Sequence, residues 1–228
     1  MRILAVEFSS EQRSVAVASA AELSAGSHRP LRSISVLGTA QDVGGRSVKA
    51  LTMVETALAQ AKTPREEIEC IALGLGPGSY AGIRAAISLA QGWQLAHNVR
   101  LVGISSVEGL AFDAQSSGVR GEITFLIDAQ RNEYYVAGYS ITEDDRRVIE
   151  PLHIVPHAEV MERTGRGQRF MGPDRVAGVE IQLVYPQAEA LAKLAASSSE
   201  FVSGEQLEPI YLREARFVKA PPGRVVEG

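Results

Sequence analysis

The chain has 228 residues, 45% of them hydrophobic and 22% charged, enough for one large domain or two small ones around a real core. A formal net charge of −4 argues against a stand-alone nucleic-acid binder, which would show a basic footprint. The single cysteine, Cys70, sits inside an apolar run; it allows no internal disulfide and reads as a core residue in a reducing compartment.

Met1 to Phe8 is apolar for too few residues to be a secretory signal. No run reaches the roughly 18 apolar residues of a membrane span, so a cytoplasmic protein with no membrane partner is expected. Ile3 to Phe8 reads as a buried strand and Ser9 to Arg13 as a polar turn. Ser14 to Ala20 and Arg32 to Leu37 read as two more strands, separated by a loop at Ser24 to Pro30. Three strands in succession predict an antiparallel meander. After Gly44-Gly45, Val48, Leu51, Val54 or Glu55, Leu58 and Ala61 recur at helical spacing from Ser47 onward. Thr63-Pro64 ends that helix. Ile68 to Leu75 is a strand, Ser79 to His97 a helix with Ser79 as N-cap, and Leu101 to Ile104 a strand. Ser105-Ser-Val-Glu108 has capping-box spacing, which predicts a helix from Ser106 to Ala114.

The second half opens in the same way. Glu122 to Asp128 and Glu133 to Ile141 are strands around the polar turn Ala129 to Asn132. Glu143 to Arg147 is a charged turn, and Val148 to Leu152 a third strand. Pro156 to Arg163 is a short helix, Arg169 to Gly172 a short apolar segment, and Pro186 to Ala196 an alanine-rich helix. Gly178 to Leu183 carries no clear period. Lys219 to Gly228 reads as a poorly ordered tail.

The most informative stretch is Ile68 to Ala90, a strand, a Gly76-Pro-Gly-Ser79 turn and a helix of small residues. Such a turn can bare helix N–H groups toward an anion, or it can let two elements pack closely. The phosphate-loop motif requires a lysine, and none lies between Lys62 and Lys193. A dinucleotide fingerprint requires an acid after the next strand, where Ser105-Ser106 stands. The nucleophile elbow G-x-S-x-G is broken by Tyr80-Ala81-Gly82. The helix beyond carries Ala81, Gly82, Ala85, Ala86, Ser88, Ala90, Gly92 and Ala96, with Trp93 as its one large anchor and Arg84 its one charge. That predicts a helix within the core or pressed against another protein.

No metal site is expected. His153 and His157 are four apart, but Pro156 lies between them and no third ligand is placed, so they read as exposed loop histidines. Glu7 and Asp128 end the first strands of the two halves. In a duplicated nucleotide-binding fold both places face the cleft, although Glu7 reads equally well as a solvated strand end.

Five stretches, in order along nearly the whole chain, resemble the TsaB (YeaZ) family. They are Ile3-Leu-Ala-Val-Glu-Phe-Ser-Ser10, Ala72-Leu-Gly-Leu-Gly-Pro-Gly-Ser-Tyr-Ala-Gly-Ile-Arg84, Leu101-Val-Gly-Ile-Ser-Ser-Val-Glu108, Ile127-Asp-Ala-Gln-Arg-Asn-Glu-Tyr-Tyr135 and Pro209-Ile-Tyr-Leu-Arg213. The resemblance implies an α/β chain with the actin-like, Hsp70-like ATPase (ribonuclease H-like) fold, its two lobes each holding a mixed sheet flanked by helices. It implies lobes at 1–105 and 106–204, with 205–218 returning to the first lobe and a flexible tail at 219–228. It further implies an accessory subunit without catalytic activity of its own, in the complex that makes N6-threonylcarbamoyladenosine in tRNA. The alternative reading, from the wider family, is an active nucleotide-binding hydrolase or glycoprotease-like enzyme.

The implied partners are a TsaD-like catalytic subunit, a TsaE-like P-loop ATPase and, for the chain alone, a second copy; tRNA is met only indirectly. No cofactor is required by this chain, with ATP or ADP expected only at a partner interface. The helices of the first lobe are the implied docking face, with Val48, Leu51, Thr52, Glu55, Ile83, Arg84, Ile87 and Gln91 as candidates. Glu7, Gly76, Gly78, Ser79 and Asp128 would line a vestigial nucleotide cleft. The chain departs from the family pattern at Glu7-Phe8-Ser9, commonly Asp-Thr-Ser, at Gly45-Arg46-Ser47, commonly His-Ser-Glu, and at Gln130, commonly Arg. The first departure counts against independent ATP hydrolysis, and the second bears on the partner surface.

Overall fold

The computed structural model describes residues 1–22, 32–44 and 49–213. The first sheet holds β1 (Arg2–Glu7), β2 (Gln12–Glu22), β3 (Arg32–Val43), β4 (Cys70–Gly74) and β5 (Arg100–Ile104), in the order β3-β2-β1-β4-β5. The first three pair antiparallel through short connections. β4 and β5 join parallel to β1, because α1 (Ala50–Ala61) and α2 (Tyr80–Ala96) carry the chain back between them. The second sheet repeats the plan with β6 (Gly121–Asp128), β7 (Glu133–Ile141), β8 (Arg146–Pro156), β9 (Phe170–Gly172) and β10 (Ile181–Leu183), in the order β10-β9-β6-β7-β8. Its helices are α3 (Ser106–Ser116), α4 (His157–Gly165) and α5 (Ala188–Ala196).

Several elements differ from expectation for identifiable reasons. β3 continues through the polar residues to Val43, since its ladder with β2 runs from Arg32 to Val43 without needing apolar side chains at an edge. Gln60 of α1 covers part of that edge, its Oε1 accepting from Thr39 N at 3.0 Å. β8 begins inside the charged turn, at Arg146, and ends at Pro156. β10 forms where the sequence shows no period, because only three residues pair with β9. Ser47 and Val48, expected to open the first helix, and the expected loop and tail lie outside the described residues. His153 lies within β8, and His157 opens α4 with its ring against Tyr134 at 5.8 Å, so the two are not loop histidines. No helix among the described residues is long and apolar enough to cross a membrane.

Alternation along β1 sorts the core. Leu4, Val6 and Phe8 face α1 and α2 together with Val15, Val54, Ile71, Leu73, Ile83 and Ile87. Ile3 and Ala5 face the other way, with Ala16, Ala18 and Ala72, onto Leu191, Ala192 and Ala195 of α5. That face is built of small side chains, which lets an alanine-rich helix lie close to the sheet. α5 therefore belongs to the second half by chain and to the first sheet by packing. α3 instead stays with its own lobe, placing Val107, Leu110, Ala111 and Ala114 among Ile123, Phe125 and Tyr139 of the second sheet. The sequence boundaries at 105 and 204 divide the chain but not its packing. Past α5, Val202 bridges Leu101, Leu207 enters the first core, and Ile210 N donates to Leu75 O at 2.8 Å.

α3 and α5 meet near Asp113. Burial pushes its carboxyl up to about 6 from 3.8, with Lys193 opposing and Glu189 reinforcing the rise, and Oδ2 has no hydrogen-bond partner. A raised acid favours the fold while protonated and weakens it as pH climbs from 3.8 through about 6. Asp113→Asn should thus stabilise the chain by about 1 kcal/mol near neutral pH after allowance for solvent screening, and by almost nothing below about pH 4. Urea unfolding at the two pH values measures this; equal effects at both would rule out ionisation of Asp113 as the cause.

Candidate functional site

The glycine turn lies between β4 and α2. Gly76 and Gly78 have φ of 85° and 143°, conformations that side chains rarely adopt. Ser79 caps α2, its Oγ accepting from Gly82 N at 3.3 Å, while Ser79 N donates to Ser9 O at 2.6 Å. A Cβ on Gly78 would overlap Ser9 O, and one on Gly82 would overlap Phe8 O. The backbone of Phe8 and Ser9 thus packs tightly against one side of the turn and of the first turn of α2. The turn serves close packing here.

Beneath it, Glu7 is fully buried. Its Oε1 accepts from Ser9 N at 2.8 Å and its Oε2 from Ser106 Oγ at 2.8 Å. Ser106 Oγ in turn accepts from Gly76 N at 3.1 Å, and Ser106 N donates to Gly76 O at 2.8 Å. Burial pushes the Glu7 carboxyl up, opposed by these hydrogen bonds. Glu7 is therefore neither a solvated strand end nor a free cleft acid: its oxygens hold the turn to the start of α3. The expected capping box does not form: Ser105 precedes α3 without a side-chain cap, its Oγ turned instead to Gly76 O at 3.5 Å.

A cavity of about 530 Å³ lies between the lobes. Gly78 and Ser79 line it from one side and Asp128 from the other, whereas Glu7 and Gly76 do not reach it. Asp128 accepts from Gln130 N at 2.7 Å and from Gln130 Nε2 at 2.8 Å, and its own N–H donates to Asp174 Oδ2 at 2.9 Å. Burial raises the Asp174 carboxyl, with the charges of Asp128 and Glu11 adding to the rise. Arg131 and Arg213 line the same cavity, so it holds both acidic and basic side chains. Among the described residues, no three His, Cys, Asp or Glu side chains are grouped to hold a metal ion. The buried Cys70 thiol is pushed up to about 11, far from a reactive thiolate. Sequence reasoning missed Tyr80, Asp174, Tyr211 and Arg213 as lining residues. Tyr211 and Arg213 were within reach, since they close the last of the matching motifs.

Of the residues expected to dock a partner, Leu51 (66% exposed), Thr52 and Glu55 of α1 are open to solvent, with Glu55 paired to Arg65 at 2.8 Å. Val48 lies outside the described residues. Arg84 is exposed on α2, stacked over Tyr80. Ile83 and Ile87 are corrections: at 1% and 6% exposed they belong to the first core, on the inward face of α2 that also carries Gly82, Ala86 and Ala90. Gln91 is half-buried and its Nε2 donates to Gly204 O at 2.8 Å. The face that α2 offers is Ala81, Arg84, Ser88, Gly92 and Leu95, the last 91% exposed.

A family model described as "TsaD: tRNA N6-adenosine threonylcarbamoyltransferase" matches residues 46–204. The chain is 28% identical over 196 residues to the tRNA threonylcarbamoyladenosine biosynthesis protein TsaB of Escherichia coli, covering 77% of this chain and 84% of that one. It is 26% identical over 198 residues to the TsaB of Haemophilus influenzae, covering 77% and 83%. Among solved structures, YeaZ from Pseudomonas aeruginosa aligns with a TM-score of 0.69 at 26% identity, over 92% of this chain and 99% of that one. The two sheets with their flanking helices form the two-lobed actin-like, ribonuclease H-like fold. The chain belongs to the TsaB (YeaZ) family of tRNA threonylcarbamoyladenosine biosynthesis proteins, within the wider group that the TsaD family model describes.

Proposed function

We propose that this chain is a non-catalytic scaffold in the synthesis of N6-threonylcarbamoyladenosine in tRNA, binding and stabilising a TsaD-like catalytic subunit through α1 and α2. The observation that carries this reading is the outer face of α2. A glycine inside a helix costs about 1 kcal/mol relative to alanine, so it needs a reason. An added Cβ on Gly92 would meet nothing within 4 Å, so no contact inside this chain supplies one. An exposed glycine flanked by Ser88 and Leu95, with Arg84 as the only charge on the helix, suits the close approach of another helix. The buried Glu7, with both oxygens bonded within the chain, agrees with an accessory role and is not available to the hydrolase reading as a cleft acid. A TsaE-like ATPase, and a second copy of this chain when the catalytic subunit is absent, complete the proposed assembly. Any ATP or ADP would sit at a partner interface, and tRNA would be met through the catalytic subunit.

Gly92→Arg tests this. It should cut recovery of the co-expressed TsaD-like subunit by about tenfold or more, since a long charged side chain at a close helix contact is among the costlier interface changes. Its melting temperature should stay near that of the unaltered chain, because the site is open. Undiminished co-purification would remove α2 as the docking helix.

A further inference from the structure

The last described residues run along the whole of α2 before leaving it. Gly204 N donates to Gln94 Oε1 and Gly204 O accepts from Gln91 Nε2, each at 2.8 Å, at the C-terminal end of the helix. Leu207 is buried in the first core, Ile210 N holds Leu75 O, and the Tyr211 ring lies 5.9 Å from that of Tyr80 at the N-terminal end. The segment then crosses the cavity. Arg213 Nη2 lies 2.8 Å from Ala129 O, 3.2 Å from Gln130 O and 2.5 Å from Glu133 Oε2, all on the second lobe. Its side chain is only 16% exposed.

The turn it grips is unusual. Gln130, Arg131 and Asn132 have φ of 65°, 60° and 61°, three consecutive non-glycine residues in the left-handed region. Each sits uphill of the ordinary conformation, and such residues persist only where their surroundings hold them. Backbone bonds hold it from within the second lobe, Ala129 N donating to Glu133 O, Glu133 N to Gln130 O and His157 N to Asn132 O. To these Asp128 adds its acceptance from both nitrogens of Gln130, and Arg213 takes the carbonyls of Ala129 and Gln130. Asp128 belongs to the same lobe as the turn, whereas Arg213 arrives from the other side of the cavity.

We propose that Val202 to Arg213 is a strap that couples α2 to the opening between the lobes, with Arg213 as its latch. The coupling rests on the docking role proposed for α2, and the latch does not. The strap has two arrangements. With Arg213 engaged, residues 130–132 are held left-handed and Tyr211 lines the cavity. With Arg213 released, the turn relaxes and the lobes separate. A partner that shifts Tyr80 or the Gln91–Gly204 contact on binding α2 biases this equilibrium from the far end of the strap.

Hydrogen–deuterium exchange on the full chain tests the latch, with Arg213→Ala and the milder Glu133→Gln, whose side chain is 43% exposed. Amides at 129–133 should exchange about tenfold faster or more in Arg213→Ala, the loss expected of charge-assisted hydrogen bonds, and by a smaller factor in Glu133→Gln. Amides in the middle of α2 should keep their rates. Unchanged exchange at 129–133, or equal acceleration throughout the chain in both variants, overturns the latch. The same measurement on the unaltered chain with its TsaD-like subunit tests the coupling. Altered exchange at 129–133 on complex formation supports it. Protection confined to α2 overturns the coupling while leaving the docking reading intact, and failure to form the complex overturns the docking reading while the Arg213→Ala comparison still decides the latch.

Discussion

Gly74→Ala should cost about 3 kcal/mol or more, combining overpacking with disrupted buried hydrogen bonds. Gly74 ends β4 directly beneath Glu7, and an added Cβ would overlap Oε2 and lie 2.5 Å from Cδ of that carboxyl group. Glu7 cannot step aside, since it is fully buried and both oxygens are engaged, by Ser9 N and by Ser106 Oγ. Moving it would break the link from β1 to the glycine turn and to α3. The test is a double-mutant cycle. Glu7→Asp draws the carboxylate back by one methylene, so it should destabilise the chain alone yet recover part of the loss in the Gly74→Ala background. Urea unfolding of the four chains reads the coupling. Strictly additive costs would show that Gly74 and Glu7 do not constrain one another.

Ile87→Glu should also be severe, and for a reason unrelated to partners. Ile87 is 6% exposed among Ile83, Ala90 and the apolar faces of β1 and β4. A carboxylate there has no partner in the core, so a loss of about 4 kcal/mol or more is expected, with unfolding of the first lobe. The readout that separates this from an interface defect is the isolated chain. Its melting temperature should collapse for Ile87→Glu and hold for Gly92→Arg. A well-folded Ile87→Glu chain that fails only in complex formation would place Ile87 on the docking face after all.

The fold was legible where the sequence is periodic or punctuated. The meander from Ile3, the strand from Ile68 to Leu75 and the helix capped by Ser79 are read directly from apolar runs, glycines and a single serine. Strand lengths were not, because β3 and β8 are extended by ladder pairing with neighbours far along the chain, which edge residues such as Asp42 and Arg146 do not advertise. The site was half legible. The phosphate lysine, the ribose acid and the nucleophile are missing from the motif, and the geometry adds that Phe8 and Ser9 pack against the glycine turn. The inward turn of Ile83 and Ile87 was hidden because α2 is small or apolar on most faces, so composition alone could not say which side is buried. Arg213 was hidden because its partners are main-chain carbonyls of a turn more than 80 residues earlier.

The packing of α5 on the first sheet bears on how the protein is made. Synthesis proceeds from the N-terminus, and the alanine-faced side of the first sheet emerges among the earliest residues. The helix that covers it, Ala188 to Ala196, emerges only after both sheets have been translated. The first lobe must therefore wait on the ribosome with one side of its sheet bare, a stretch rich in β-structure and exposed to misassociation. Residues 1–105 alone should not be recoverable as a stable fragment, since they would lack a wall of their own core. The two halves expressed together from separate messages should instead find one another, because the second carries the helix that the first needs.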